Sequence, residues 1–449
     1  MKNFAVRFFI LVFSTAGLIA QDQNELWSLE RCINYAHEKN LQIKRQRLNV
    51  EHSRKELNQS YYEVLPNLNG GLDHQFSSGR SLNTETYKWE NTKKQQGSMG
   101  VSSDLTIFNG FRNLNSIQFR KYSFLSAQED LEKVKNDITL SITIAYLQIL
   151  FNEELLNIAK SQYEVSLLQV NKINRLVEVG NLSKGELLQI KAQAASEKLN
   201  VAGCQNDLTI SILELTQILD LDSAGNFRIV KPENLNVGNL GIPESVENIF
   251  KMASISLPQI RSSEYNVKMA EEYLAYERGL WSPSVTLGGL YYSRYLKGAY
   301  NPLDPGLEYF YKDQLKDNQY SQISIGLDIP VFNRMRTQTT ISKARIRLED
   351  SRYILDQNNQ ALYKTIQQLH GNALAALEKY NSAMEAVASS EEVFKYTQQK
   401  YDVGLVNSVD YNISKNNLLK AKSDLLQAKY EFIFRMKIID FYKGNGISL

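Results

Sequence analysis

VEVGNLSKGELLQIK (Val177–Lys191) and YDVGLVNSVDYNISK (Tyr401–Lys415) are two copies of one punctuated stretch. Each carries a Gly able to take a positive φ where a helix ends. A polar residue placed to cap a new helix follows (Ser183; Asn407 or Ser408), and then an acid in that helix's first turn (Glu186; Asp410). The pattern predicts a sharp turn between two antiparallel helices, and it occurs twice, with Gly180 and Gly404 separated by 224 residues. Upstream, TIFNGFR (Thr106–Arg112) answers to PVFNRMR (Pro330–Arg336), and Asn109 and Asn333 are again 224 apart. LPNLNGG (Leu65–Gly71) answers to SPSVTLGG (Ser282–Gly289), but Pro66 and Pro283 are 217 apart, so a loop of variable length belongs between the two shorter motifs. The 449-residue chain is therefore an internal duplication. Residues 21–220 and 243–449 each read as helix, strand, loop, strand, very long helix, turn and long helix, joined by residues 221–242.

Between the motifs run two stretches of 70 residues, Gly110–Val179 and Arg334–Val403, with no Pro and, after Gly110, no Gly but Gly371. A helix of that length extends about 105 Å, several times the depth of an ordinary domain. Ala373, Tyr380, Val387, Phe394 and Tyr401 recur every seventh residue, and Leu156, Ala159, Tyr163, Leu167, Val170, Ile173 and Val177 recur at spacings of 3 and 4. Such stripes predict helices packed side by side along their whole length, as in coiled coils.

Four shorter runs alternate with period 2, over Leu65–Ser77, Gln96–Phe108, Pro283–Tyr295 and Tyr320–Phe332. Leu68, Leu72 and Phe76 oppose Asn67, Asp73 and Gln75, and Ile323, Ile325 and Leu327 oppose Gln322, Ser324 and Asp328. Each run has the length of a tilted strand crossing a bilayer, although a half-buried sheet in a soluble domain would alternate in the same way. Two features favour the membrane: the long helices, and an N-terminus whose Lys2 and Arg7, apolar run Phe8–Phe13 and small residues up to Ala20 have the layout of a secretory signal peptide. Ser78–Gln95 and Leu296–Gln319 are then expected outside the cell as polar loops.

Other classes are excluded by composition. Lys and Arg number 51 against 49 Asp and Glu, a net charge of +2 that offers no field for nucleic acid. The four His are scattered without metal-ligand spacing, no cofactor motif is present, and GxSxG, HExxH and a Gly-rich phosphate loop are missing, so a hydrolase has no support. Cys32 and Cys204 lie at different heights along the expected helices and should stay unpaired. Four strands cannot close a barrel, and lipid does not tolerate open edges. Identical chains must then share one: two chains give an eight-strand barrel filled by side chains, three give twelve strands around a water-filled duct.

The duplicated plan, the strand-end motifs, the FNGF and PVFNR helix starts and the paired tips together resemble the TolC-like outer-membrane efflux proteins over the whole mature chain. The resemblance implies a mainly α chain with a membrane β part. Three copies would form a channel-tunnel whose 12-stranded barrel in the outer membrane continues as an α-helical barrel through the periplasm, docked on a periplasmic adaptor and an inner-membrane pump. Tyr401, Gly404 and Asp410 match the family's Tyr, Gly and first Asp at the periplasmic gate. The family's second Asp corresponds to Ile413, and its basic residue two positions after the Gly to Val406. Glu186, equivalent to Asp410 in the other hairpin, is expected either to add to the gate's field or to sit on the outer wall. The tips around Gly180, Ser183, Gly404 and Asn407 are the expected adaptor-docking surface. Because little chain follows Tyr442, the mid-tunnel collar is expected mainly from Leu221–Pro243. The rival reading is a structural or adhesive envelope protein, with the helices as a stalk and Leu296–Asn318 as a binding tip.

Overall fold

The computed structural model describes residues 26–82, 87–221, 225, 227–232, 237, 241–301 and 304–446. The expected signal peptide at 1–20 and much of the joining segment lie outside the described residues. In the first half, α1 (Leu29–Lys39) and α2 (Leu41–Tyr62) lead to β1 (Asn69–Leu82), β2 (Trp89–Phe108), α3 (Arg112–Glu178) and α4 (Lys184–Ile218). In the second, α5 (Val246–Ser256) and α6 (Pro258–Arg278) lead to β3 (Ser284–Leu296). A small hairpin of β4 (Tyr300–Asn301) and β5 (Asp304–Glu308) follows, then α7 (Tyr311–Asp317), β6 (Tyr320–Asp328), α8 (Arg336–Asp402) and α9 (Ser408–Tyr442). The long helices α3 and α8 have 67 residues each, and α4 and α9 have 35 each. Their boundaries repeat at the spacing of the sequence motifs.

The single first helix expected in each half is two helices. At Asn40 the backbone turns extended (φ −57°, ψ 131°), and the side chain accepts from the N–H groups of Gln42 and Ile43 to start α2. At Leu257 (φ −74°, ψ 126°) the following Pro258 excludes the α region and opens α6. The breaks let α1 and α5 lie at mid-height, where the core is thickest. There Leu29, Cys32 and Ala36 of α1 pack with Ile142, Tyr146 and Leu150 of α3, Leu215 of α4 and Ile433 of α9. Ile249 and Ala253 of α5 pack with Ile366 and Ala373 of α8 and Met436 of α9. The buried Tyr146 hydroxyl donates to the carbonyl of Val230 (2.6 Å), and the backbones of Trp27 and Ile229 pair beside it. Cys32 and Cys204 are both buried thiols in separate clusters, unpaired as expected.

Above this belt α2, α3, α6 and α8 lie side by side; below it α4, α3, α9 and α8 do. Among the described residues no helix is long and apolar enough to cross a membrane.

The strands form one antiparallel sheet in the order β1-β2-β3-β6. β1 and β2 run on to Leu82 and Trp89, well into the Ser78–Gln95 segment expected as a loop, and the second expected loop holds β4, β5 and α7. Residues 77–81 and 90–94 are polar on both faces, so the sequence there gives no apolar alternation to detect. Direct cross-strand partners share a face. One face carries Leu105, Leu287 and Ile325 in one row and Leu72 and Met99 in another; the opposite face carries Asp73, Ser98 and Arg294, then Thr106 and Thr286. Both faces lie open along β1 and β6 (Leu72 83% and Ile323 84% exposed), and the outer edges of β1 and β6 have no partner strand among the described residues.

Both strand-to-helix junctions place two consecutive residues in the left-handed region, Gly110–Phe111 before α3 and Arg334–Met335 before α8. A Cβ on Gly110 would stand 2.6 Å from the Gly279 carbonyl oxygen, so this position admits only Gly, whereas its counterpart tolerates Arg334.

Candidate functional site: the paired hairpin tips

Each long helix ends in the same hydrogen-bonded turn. At the first tip the Gly180 N–H donates to the Val177 carbonyl (3.0 Å) and the Asn181 N–H to that of Leu176 (2.8 Å), with Gly180 at φ 78°. At the second, the Gly404 N–H donates to Tyr401 (3.0 Å) and the Leu405 N–H to Lys400 (2.8 Å), with Gly404 at φ 75°. The pairing satisfies orphan carbonyls and reverses the chain. Ser183 then caps α4 by accepting from the Glu186 N–H (3.3 Å), and Asn407 caps α9 by accepting from Val409 (2.8 Å) and Asp410 (2.9 Å). Ser408, the other candidate cap, instead is the first residue of α9 and donates its hydroxyl to Gln189 of α4 (2.9 Å). Gly180, Ser183, Gly404 and Asn407 are all exposed, and a Cβ at either Gly would meet nothing within 4 Å.

The residues assigned to the gate part company. Asp410 and Ile413 lie three apart on the exposed side of α9, while Tyr411, Asn412, Ser414 and Lys415 turn inward. Glu186 does not share the exposure of Asp410. It is half-buried, one carboxylate oxygen lies buried without a hydrogen bond, and its charge reaches Tyr401. Burial first, then the charges of Glu186 and Asp402, hold the Tyr401 phenol above its usual pKa, so it stays protonated. Tyr401 stacks on the fully buried Tyr411 (ring centroids 4.8 Å, planes 27° apart), and Phe394 packs on the same ring at 5.5 Å. Gln169 of α3 donates to the Tyr411 hydroxyl (3.3 Å), and Lys172 of α3 pairs with Asp402 (2.8 Å) at the surface.

Deeper in the same seam, Lys415 of α9 is buried against α3 and α4. Its ammonium donates to Ser166 (2.5 Å) and to the Glu197 carboxylate (3.2 Å). Burial lowers the Lys415 pKa, and the adjacent Glu197 opposes that shift. The other Glu197 oxygen, Asn412 Oδ1, Ser414 Oγ and Gln169 Oε1 are buried with no partner. The tip-side interface between the hairpins is thus polar and incompletely satisfied, unlike the apolar belt above it. Sequence reasoning missed this pair, although a signal existed. On α4, Ile190, Ala194, Val201, Cys204, Leu208 and Leu215 follow a 4-3 stripe whose remaining positions are Glu197 and Ser211. A Glu in an apolar stripe calls for a buried cation on the facing helix.

The model of the outer membrane efflux protein family matches the chain twice, at residues 32–220 and 250–433. The chain belongs to the outer membrane efflux protein family. The two matches fall on the two halves of the duplication. The outer membrane protein TolC of Salmonella enteritidis is 22% identical over 77% of this chain and 74% of its own. The cation efflux system protein CusC of Escherichia coli is 20% identical over 85% and 79%. Among solved structures, the outer membrane protein VceC of Vibrio cholerae superposes with a TM-score of 0.76 at 15% identity, covering 94% of this chain and 97% of that one, and a CusC structure does so with 0.79. The fold is therefore that of the family's channel-tunnels, and the protein is an outer-membrane channel component of an export system.

Proposed function

We propose that three copies assemble into a passive duct which docks a periplasmic adaptor and an inner-membrane pump at its hairpin tips. The observation that carries this reading is the sheet, four strands with a polar face, an apolar face and, among the described residues, two unpaired edges. In lipid each unpaired backbone group costs several kcal/mol, so both edges must find strands of other copies. Asp73, Arg294, Thr106 and Thr286 on one face suit a wet lumen, which twelve strands leave open and eight would fill. Single-channel conductance of the purified protein, with its oligomer mass in detergent, tests this; a dimer or a silent bilayer would overturn it.

The mature chain in this reading is the repeat 21–220, the joining segment 221–242 and the repeat 243–449, after removal of residues 1–20. The adaptor meets Gly180, Ser183, Gly404 and Asn407, which project at the open end with free space above both glycines. Crosslinkers at Ser183 and Asn407 should capture it, whereas capture only by mid-helix probes would move the docking site up the wall. Relatives include a cation efflux system protein, a toxin and drug export protein and an alkaline protease secretion protein. A duct of this kind serves cargoes of different chemistry, and the choice of cargo rests with the pump.

A further inference from the structure

We propose that the outward face of the barrel's outer rim carries a binding site for a phosphorylated glycolipid of the outer leaflet. The cross-strand register sets the residues in rows. On the apolar face, Leu105, Leu287 and Ile325 form one row and Val101 and Tyr291 a higher one. Further out come Leu72 with Met99, then His74 with Gly97 and Tyr295, then Phe76 with Gln95, which also receives the backbone N–H of Lys297 (2.8 Å). The next rows are Ser78 with Lys93 and Arg80 with Asn91.

Charge on this face is confined to one end. Arg80, Lys93 and Lys297 all lie in the outer rows, just inside a last row of Leu82 with Trp89, and no Asp or Glu shares their face in β1, β2, β3 or β6. Leu287 and Lys297 are ten residues apart, about 33 Å along a strand and about 25 Å of height at a tilt near 40°, which is the height of the apolar band of such barrels. The cations therefore stand where acyl chains give way to headgroups. Phe76, Ser78, Lys93, Gln95 and Lys297 of this face line a concavity of about 410 Å³ at that level. Among the described residues, neither Lys93 nor Lys297 has a carboxylate partner.

Ammonium groups without counter-charges above an aromatic shelf fit a ligand with phosphate at the top and hydrocarbon below. Phosphate oxygens accept from Lys93 and Lys297, and acyl chains descend over Phe76, Tyr295 and Leu72. A soluble phosphate would leave the shelf unused, which is why we commit to the lipid. The inference rests on the β1–β2 hairpin facing the cell exterior, so orientation is tested separately. An Asp304→Cys variant should be labelled by a membrane-impermeant reagent on intact cells; failure there would overturn the orientation and with it this proposal.

The lipid test uses the delipidated native oligomer and native mass spectrometry. Three probes are offered: bis-phosphorylated lipid A, the same lipid with its phosphates removed, and inorganic phosphate. The phosphorylated lipid should stay bound, and the Lys93→Gln/Lys297→Gln variant should bind it about thirty-fold more weakly, as expected for two lost cations near an anionic headgroup. The Lys93→Arg/Lys297→Arg variant should retain binding, and conductance should be unchanged in both, which shows that they are assembled. Equal retention of the dephosphorylated lipid, or unchanged binding in the Gln variant, would overturn the proposal. Displacement of the lipid by equimolar inorganic phosphate would reduce the site to a simple anion site and overturn it too.

Discussion

At the scale of single residues, the seam between the hairpins contrasts with the rest of the core. Lys415 and Glu197 are both almost wholly buried, and their ion pair holds α9 to α4 across otherwise unsatisfied polar atoms. Removing one member of a buried pair strands the other charge and costs about 3–5 kcal/mol, whereas replacing both by apolar side chains is commonly neutral or stabilising. Lys415→Met and Glu197→Met should each lower the thermal midpoint of the lower helices, while the double variant should regain or exceed the wild-type value by circular dichroism. Glu197→Gln adds a pH signature. Its Lys415 pKa, already lowered by burial, loses the opposing carboxylate and falls further. The unfolded chain then binds the proton more tightly than the folded one. Stability should be lowest below the folded pKa, where the buried ammonium is charged, and rise with pH from that value up to the unfolded value near 10.5. A midpoint that failed to rise on the alkaline side would mean that Lys415 is solvated in the assembly.

At the scale of elements, the breaks at Asn40 and Leu257 show how local chemistry sets the positions of whole helices. Asn40 caps α2 with its side-chain oxygen, and its amide also donates to the Ile218 carbonyl at the end of α4 (3.0 Å), so one residue ends α1, starts α2 and ties both to the α3–α4 hairpin. Asn40→Ala should cost about 1–2 kcal/mol from the lost cap, and more if the Ile218 carbonyl finds no water. The check is a denaturant midpoint that drops while the long helices keep their far-ultraviolet signal. The helix plan was legible because punctuation residues mark it: Gly180, Gly404, Ser183, Asn407 and the paired Asn109 and Asn333 fix α3, α4, α8 and α9 to within a few residues. The strand cores were legible through Leu105, Leu287, Ile323 and Ile325. The break at Asn40 was not, because Asn is tolerated within helices and only the local geometry selects the cap. The outer half of the β1–β2 hairpin was hidden because residues 77–81 and 90–94 are polar on both faces. At the tips, the capping roles were legible from spacing, but the inward turn of Glu186 and the Lys415 pair depend on which helix faces which.

At the scale of the whole molecule, the exposed side of α9 takes its meaning from three-fold assembly. In one chain Asp410 is an exposed carboxylate in a first helical turn, and its nearest functional neighbour on that side is Ile413, itself 53% exposed. The intrachain seam has already absorbed Tyr411 and Lys415, and Glu186 has turned towards Tyr401, so Asp410 and Ile413 are the candidate gate residues still facing outward from the hairpin pair. Three copies around an axis would bring three Asp410 carboxylates together just below a ring of Ile413 side chains, giving a negative well beside an apolar constriction. Asp410→Asn should lower cation over anion selectivity and weaken block by multivalent cations, most clearly at low salt, where screening is least. Glu186→Gln should leave selectivity nearly unchanged, because its charge is turned into the protomer. It should alter instead how readily the hairpins separate, read as a change in open probability. Reversal potentials across a salt gradient decide between these outcomes. If Asp410→Asn channels kept wild-type selectivity while Glu186→Gln channels lost it, the lumen would lie on the α4 side of the hairpin pair and the placement of the axis would have to be exchanged.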